Sequence, residues 1–181
     1  AEQLQTNSDI VFLMIGEGHQ HAYVEQEVKR RRLNNVVMMP FQPVEQLSES
    51  LGAADVHLVS LKPELEHCIV PSKFYGVLAA ARPTIFIGDP DGEIATVVRD
   101  FHCGLSLCPG EVEMLISSIL LLHNSQLNRN TMGNNARYLM ETAYSREFGA
   151  AVWQSAVGRI VSKGQFSAMP VLDRQFHAEK M

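Results

Sequence analysis

Residues 69–93 read IVPSKFYGVLAAARPTIFIGDPDGE. The first half predicts a helix over 72–81 that opens on Pro-Ser-Lys, because Pro71 presets the backbone for helix entry and Ser72 can cap free amides. The second half predicts a strand in PTIFIG, closed by a Gly/Asp/Pro-rich loop. A helix feeding a short apolar strand through a tight connection is the repeating unit of a parallel sheet. One residue is out of place electrostatically. Lys73 sets a cation at a helix amino terminus, where the backbone amides already form a partial positive charge.

The unit repeats on both sides of this stretch. DIVFLMIGEG is a nearly continuous apolar run closed by glycines, as expected of a strand buried on both faces, and a helix is expected from His19 to Leu33. NVVMMP is a second strand. VEQLSESLGAA is a helix with Val44, Leu47 and Leu51 on one face, and DVHLVSL is a third strand. After PTIFIG come a helix over 92–99, a weak strand GLSL, a helix over 111–123 with Leu115, Ile119 and Leu122 in the core, and two further helices over 126–143 and 145–161. The pattern predicts an α/β, Rossmann-like, doubly wound parallel sheet with helices on both faces. Residues 1–162 read as one domain and 163–181 as a poorly ordered tail without sustained period.

Bulk properties narrow the function. The chain has 181 residues, 46% of them hydrophobic, enough for one ordinary core. A formal net charge of -5 argues against nucleic acid as a partner. The basic run Lys29–Arg32 falls at a helix end, where cations complement the dipole. Cys68, Cys103 and Cys108 include no C-x-x-C pair, which fits a reducing compartment and offers neither a disulfide framework nor a zinc site. No apolar run reaches the roughly 18 residues of a membrane span, and the polar start AEQLQTNSD is unlike a signal peptide, so a cytoplasmic domain is expected.

Ligands of open parallel sheets bind beyond the carboxyl ends of the strands, which directs attention to GEGHQH, PFQP, LKPELEHCIVPSK, GDPDGE and CPGE. The first is not a dinucleotide fingerprint: His21 stands where the third glycine should lie, and no acidic residue closes the second strand. Gly16 and Gly18 either let amides approach an anion or simply make a tight turn. Lys73 either faces a bound phosphate or turns into water or towards Glu64 or Glu66. Phe41 stacks on a base or plugs the sheet edge. Asp91 and Glu93 open a helix and read first as caps. His19 and His21 read as exposed, and His57 as a hydrogen-bonded histidine of a central strand.

Taken together, FLMIGEG, NVVMMPFQPVEQLSESLGAADVHLVSL and VPSKFYGVLAAARPTIFIGDPDGEIATVV resemble the carboxyl-terminal domain of retaining GT-B glycosyltransferases of the GT4 type. The likeness runs from about Asp9 to Val161 and is greatest to bacterial members that build cell-surface polysaccharide or lipopolysaccharide. It implies a domain that binds a nucleoside-diphosphate-sugar donor, a UDP- or GDP-sugar, with no metal. By the resemblance, Gly16 and Gly18 lie near phosphate, Phe41 near the base, Pro71, Ser72 and Lys73 near the diphosphate and ribose, and Glu66, Asp91, Gly92 and Glu93 near the donor sugar.

The sequence also departs from that family. Where many members carry E-x7-E, this chain has Cys68 and Gly76, so Glu64 or Glu66 is left to replace the first carboxylate and no catalytic residue is assigned. The resemblance further implies that the domain's first strand and loop, and a whole amino-terminal acceptor domain, lie outside this chain. Phe148, Val152 and Trp153 are then expected to pack on that absent half, and the full enzyme to sit peripherally at the inner membrane. A non-catalytic nucleotide or nucleotide-sugar module, or half of a nucleotide-sugar epimerase, are the alternative readings.

Overall fold

The computed structural model describes residues 1–163. In chain order its elements are β1 Phe12–Ile15, α1 His21–Arg31, β2 Val36–Met39, α2 Leu47–Gly52, β3 His57–Ser60, α3 Lys73–Ala79, β4 Thr84–Ile87, α4 Glu93–Asp100, β5 Gly104–Leu107, α5 Val112–Asn124, α6 Gln126–Ala143 and α7 Arg146–Lys163. Single 3-10 turns lie at Glu2–Leu4, Val44–Gln46 and Pro63–Leu65, the second at the start of the stretch expected to be helical throughout. Every strand pairing is parallel. β1 lies beside β2 with Phe12 opposite Val36, and β3, β4 and β5 follow in that order with His57, Thr84 and Gly104 abreast. The expected Rossmann-like α/β alternation is therefore present, divided into a two-stranded and a three-stranded sheet.

The helices form where apolar residues recur on one face. Phe74, Val77 and Leu78 bury the inner side of α3, and Ile94, Ala95, Val97 and Val98 that of α4. Full burial of each larger side chain contributes about 1.5–3 kcal/mol, which short helices of this kind need for stability. Ile85, Leu107 and Leu122 form a buried cluster with Leu115 and Ile119 against it, as the α5 pattern predicts. The basic end of α1 is solvated and paired within its own helix, Glu25 with Lys29 and Glu27 with Arg30 and Arg31.

Two expectations are corrected. β1 is not buried on both faces: Leu13 and Met14, neighbours in the strand and therefore on opposite faces, are 38% and 44% exposed. Val44 and Leu47 do not join Leu51 on a buried face and are 75% and 52% exposed. Val44 lies in a 3-10 turn of three residues rather than 3.6, which puts it out of phase with α2.

Helix ends carry the remaining order. Arg32, Ala81 and His102 take left-handed φ values of 54°, 54° and 48° just beyond α1, α3 and α4, in positions that glycine usually fills. α6 answers carbonyls left open at other helix ends. Arg137 Nη1 donates to Ala79 O (2.8 Å), Asn135 Nδ2 to His102 O (3.1 Å) and Arg129 Nη1 to His123 O (2.9 Å). Gly133 lets α6 approach so closely that a Cβ there would overlap Ala81 O.

The chain forms two compact units, Ala1–Glu141 and the part from Thr142 onward. In the second, α7 exposes Trp153 (73%) and Phe148 (40%), while Val152 is half-buried. Residues 164–181, most of the expected tail, lie outside the described residues.

Candidate functional site

All the candidate residues fall on one edge of the sheets, the carboxyl ends of the strands. Gly16 and Gly18 follow β1, Phe41 follows β2, Glu66 to Lys73 follow β3, and Asp91 to Glu93 follow β4. Gly16 has φ 110° and donates its N–H to Met39 O (3.0 Å), which ties the first loop to the end of β2. Phe41 lies across it: a Cβ on Gly16 would meet the Phe41 ring at 3.0 Å. The ring is nonetheless 69% exposed, so Phe41 covers the glycine with one part of the ring and offers the rest to solvent. A Cβ at Gly18 would meet nothing within 4 Å, and the Gly18 carbonyl accepts the His21 N–H at the start of α1 (2.9 Å).

The loop after β3 delivers the charged groups. Ser72 does not cap α3: it takes helical angles (φ -57°, ψ -25°) instead of the extended angles a cap needs, and its hydroxyl makes no capping hydrogen bond. The first turn is closed instead by Phe74 N–H on Pro71 O (2.9 Å). Lys73 is exposed and, among the described residues, forms no ion pair with Glu64, Glu66 or any other carboxylate.

Glu66 goes elsewhere. Its Oε1 accepts the Glu93 N–H at 2.6 Å, so a carboxylate 27 positions away caps α4 and complements its dipole. Glu66 Oε2 is buried without a partner. A Cβ on Gly92 would overlap this carboxylate, so the loop between β4 and α4 requires a glycine at that position. Asp89, rather than Asp91, turns the loop by accepting the Asp91 N–H (2.9 Å), and the Asp91 and Glu93 side chains are exposed. Tyr75 lies close enough for Glu93 to add to the effect of burial in raising its pKa.

The two positions where the family pattern places glutamates differ in their surroundings. Gly76 sits where α3 packs on α2, and a Cβ there would lie 3.1 Å from Leu51 Cδ1. Cys68 is exposed. Outside the site, His57 donates to or accepts from no carboxylate. Its Nε2 pairs with Leu51 O at 2.8 Å and burial lowers its pKa, as expected of a structural histidine. Among the described residues no three His, Cys, Asp or Glu side chains converge as a metal site, and no helix is long and apolar enough to cross a membrane.

Comparison with known proteins gives the context. The profile of the family described as glycosyl transferases group 1 matches residues 1–138. A putative colanic acid biosynthesis glycosyl transferase, WcaI of Escherichia coli K12, is 28% identical over 112 residues, covering 61% of this chain and 27% of the relative. A probable glycosyltransferase, WbjE of Pseudomonas aeruginosa, is 24% identical over 171 residues, covering 91% and 41%. The chain spans about a quarter to two fifths of the length of these curated relatives. Among solved structures, S. aureus TarM in complex with UDP, Fondaparinux and alpha-GlcNAc-glycerol superposes with a TM-score of 0.69 at 15% identity, over 85% of this chain and 30% of TarM. WaaG, a glycosyltransferase of lipopolysaccharide biosynthesis, gives 0.61 at 16%, over 85% and 38%. Sucrose-phosphate synthase of Thermosynechococcus elongatus gives 0.65 at 18%, over 84% and 39%. These three likenesses are of fold.

Proposed function

The chain belongs to the glycosyl transferases group 1, and from that premise we propose that it is the nucleoside-diphosphate-sugar-binding portion of a retaining glycosyltransferase of cell-surface polysaccharide synthesis. The observation that carries the proposal is the gathering of Gly16, Phe41, Glu66, Lys73 and Gly92 at the carboxyl ends of parallel strands, where open α/β sheets bind ligands. In this reading, Lys73 and the open amides around Ser72 take the diphosphate of a UDP- or GDP-sugar, the exposed part of Phe41 stacks on the base, and the Glu66, Asp91 and Glu93 side chains around Gly92 meet the sugar. The leaving diphosphate is neutralised by ammonium and amide groups without a metal ion. The chemistry is positioning and charge stabilisation, not covalent catalysis by this half. TarM was solved with UDP, and the relatives named for colanic acid and glycosyl transfer support the class of reaction.

The acceptor half of the enzyme is proposed to come from sequence outside these residues, in line with the share of the relatives that the chain spans. β1 and β3 support this. Among the described residues each is hydrogen-bonded to a strand on one side, and Leu13, Met14 and Leu58 are exposed although parallel strands are normally covered on both faces. The full enzyme is proposed to act at the cytoplasmic side of the membrane as a peripheral protein.

Calorimetry of UDP and GDP on the wild-type chain and on Lys73→Ala tests the donor site. Lys73 has no ion pair to lose, so the variant should melt at or slightly above the wild-type temperature. It should bind the diphosphates about ten-fold or more weakly, because a charged phosphate contact is removed. Uridine and guanosine binding should not change. Equal diphosphate binding by the two proteins would remove Lys73 from the site. On the proposal that the acceptor half comes from sequence outside these residues, the chain alone should transfer no sugar. Turnover abolished by Lys73→Ala would contradict that expectation.

A further inference from the structure

A cavity of about 280 Å³ opens at the opposite end of the strands, where β3 and β4 begin. Asp55, Arg82, Gln126, Arg129, Asn130 and Asn134 line it. Gln126, Asn130 and Asn134 are spaced four apart on α6, which places three carboxamides in one stripe along the helix. They are exposed, and among the described residues none of their side chains has a hydrogen-bond partner. Asparagine is a poor residue for a helix interior, so Asn130 and Asn134 cost stability without packing to offset it.

The two arginines are fixed. Arg82 Nη2 donates to Gly52 O (2.7 Å), while its Nε is buried without a partner. Arg129 Nη1 is held by the carbonyls of Leu122 and His123. Neither guanidinium forms an ion pair among the described residues, and neither does Asp55, although all three line the same cavity. Two anchored cations face one carboxylate, and the amino-terminal turns of α6 add their positive dipole. The His57 pKa is lowered chiefly by burial, against the hydrogen bond to Leu51 O, with a smaller contribution from the charge of Arg82.

We propose that this cavity binds a small polyhydroxylated oxyanion, a sugar phosphate or sugar acid, separately from the donor site. Guanidinium groups whose positions are already fixed suit a phosphate or carboxylate, since little side-chain freedom is lost on binding. Carboxamides and one free carboxylate suit adjacent hydroxyl groups, which both donate and accept.

The test is calorimetry of the 181-residue chain with glucose 6-phosphate, glucuronate, glucose and inorganic phosphate. One or both charged sugars should bind at least about ten-fold more tightly than glucose and than phosphate alone, because charge-assisted and hydroxyl contacts act together. The stronger of the two identifies the anion. Asn134→Asp, at an exposed position, should weaken that binding about ten-fold or more by like-charge repulsion and leave the melting temperature unchanged. Lys73→Ala should leave it intact, which separates this site from the donor site. Arg129→Gln should also weaken it, and if that variant unfolds, Asn134→Asp decides alone. No binding by either charged sugar, binding of phosphate as tight as that of the sugar phosphate, or binding indifferent to Asn134→Asp would each overturn the proposal.

Discussion

Replacing Gly92 by alanine isolates the contact between Glu66 and the start of α4. Gly92 has φ -67° and ψ 164°, angles open to alanine, so the backbone itself sets no barrier. The obstacle is the Glu66 carboxylate, which a Cβ would overlap. Glu66 must then leave, and the Glu93 N–H loses a charged acceptor now 2.6 Å away. Such a bond contributes about 1.5–3 kcal/mol, and a carboxylate at a helix amino terminus about 0.3–1 kcal/mol by itself, part of the same interaction. Against this, alanine stabilises by about 0.4–1 kcal/mol through the unfolded chain. Gly92→Ala should therefore cost about 1–2 kcal/mol, or about 2–8 °C in melting temperature for a chain of this size. With Glu66→Ala already present, the same substitution should cost nothing or stabilise. A double-mutant cycle by urea and thermal unfolding measures the difference, and a coupling of about 1.5 kcal/mol or more is expected. If Gly92→Ala costs the same in both backgrounds, the glycine serves the backbone and the carboxylate argument fails.

Three further outcomes follow from the same structure. His123 Nε2 pairs with Asp9 Oδ2 at 2.6 Å, which raises the histidine pKa and lowers that of the aspartate. The pair's stabilisation is full between the ordinary aspartate and histidine pKa values, about 4 to 6.5, lost as pH rises through the raised His123 pKa and lost as pH falls through the lowered Asp9 pKa. His123→Gln should thus show its largest melting deficit at about pH 5 to 6 and a shrinking one as pH rises through the raised His123 pKa. Burial lowers the His57 pKa, so its contribution is present above the ordinary histidine pKa and drains away as pH falls through the lowered value. His57→Gln should flatten the acid limb of a stability profile, and an unchanged limb would show that His57 does not govern it. Burial pushes the Cys103 thiol up to about 12, whereas Cys68 is exposed. A thiol reagent at pH 8 should modify Cys68 in the native chain and Cys103 only after unfolding, readable by mass spectrometry of the peptides.

The strands and helices were legible because their periods differ. GLSL and the helix over 126–143 fall where the sequence puts them, and the core positions of α5 follow from spacing alone. What the sequence could not show depends on contacts between distant residues. Glu66 and Glu93 are 27 positions apart, and only the crossing of the β3 and β4 loops makes one cap the other. Gly92 reads locally as a loop glycine with no hint of the carboxylate above it. Gly76 reads as a missing glutamate until Leu51 is seen beside it. The exposure of Leu13 and Met14 was equally hidden, since an apolar run reports what a strand would bury and not whether a neighbour is there to cover it. The cavity below β3 and β4 was hidden in the same way, since positions 126, 130 and 134 became its wall only when α6 was placed there.

The starts of α3 and α4 treat the same electrostatic problem in opposite ways. Both helices point positive ends at the candidate site. At α4 the chain supplies its own anion, Glu66, and fixes it with a glycine that leaves room for nothing else. At α3 it supplies no anion among the described residues: Ser72 does not cap, none of their carboxylates pairs with Lys73, and the lysine adds charge of the same sign as the dipole. An arrangement that gained only stability would treat both ends alike. The asymmetry makes sense if the α3 end is completed by a ligand. A diphosphate would be held between α3 and Lys73, while the second oxygen of Glu66, buried and without a partner among the described residues, would take a hydroxyl of the attached sugar on opening of the loop that covers it. On this account Glu66→Gln should weaken binding of a matched nucleotide sugar and leave that of the bare diphosphate unchanged, whereas Lys73→Ala should weaken both. Equal losses of the two ligands in Glu66→Gln would mean that Glu66 acts only as a cap.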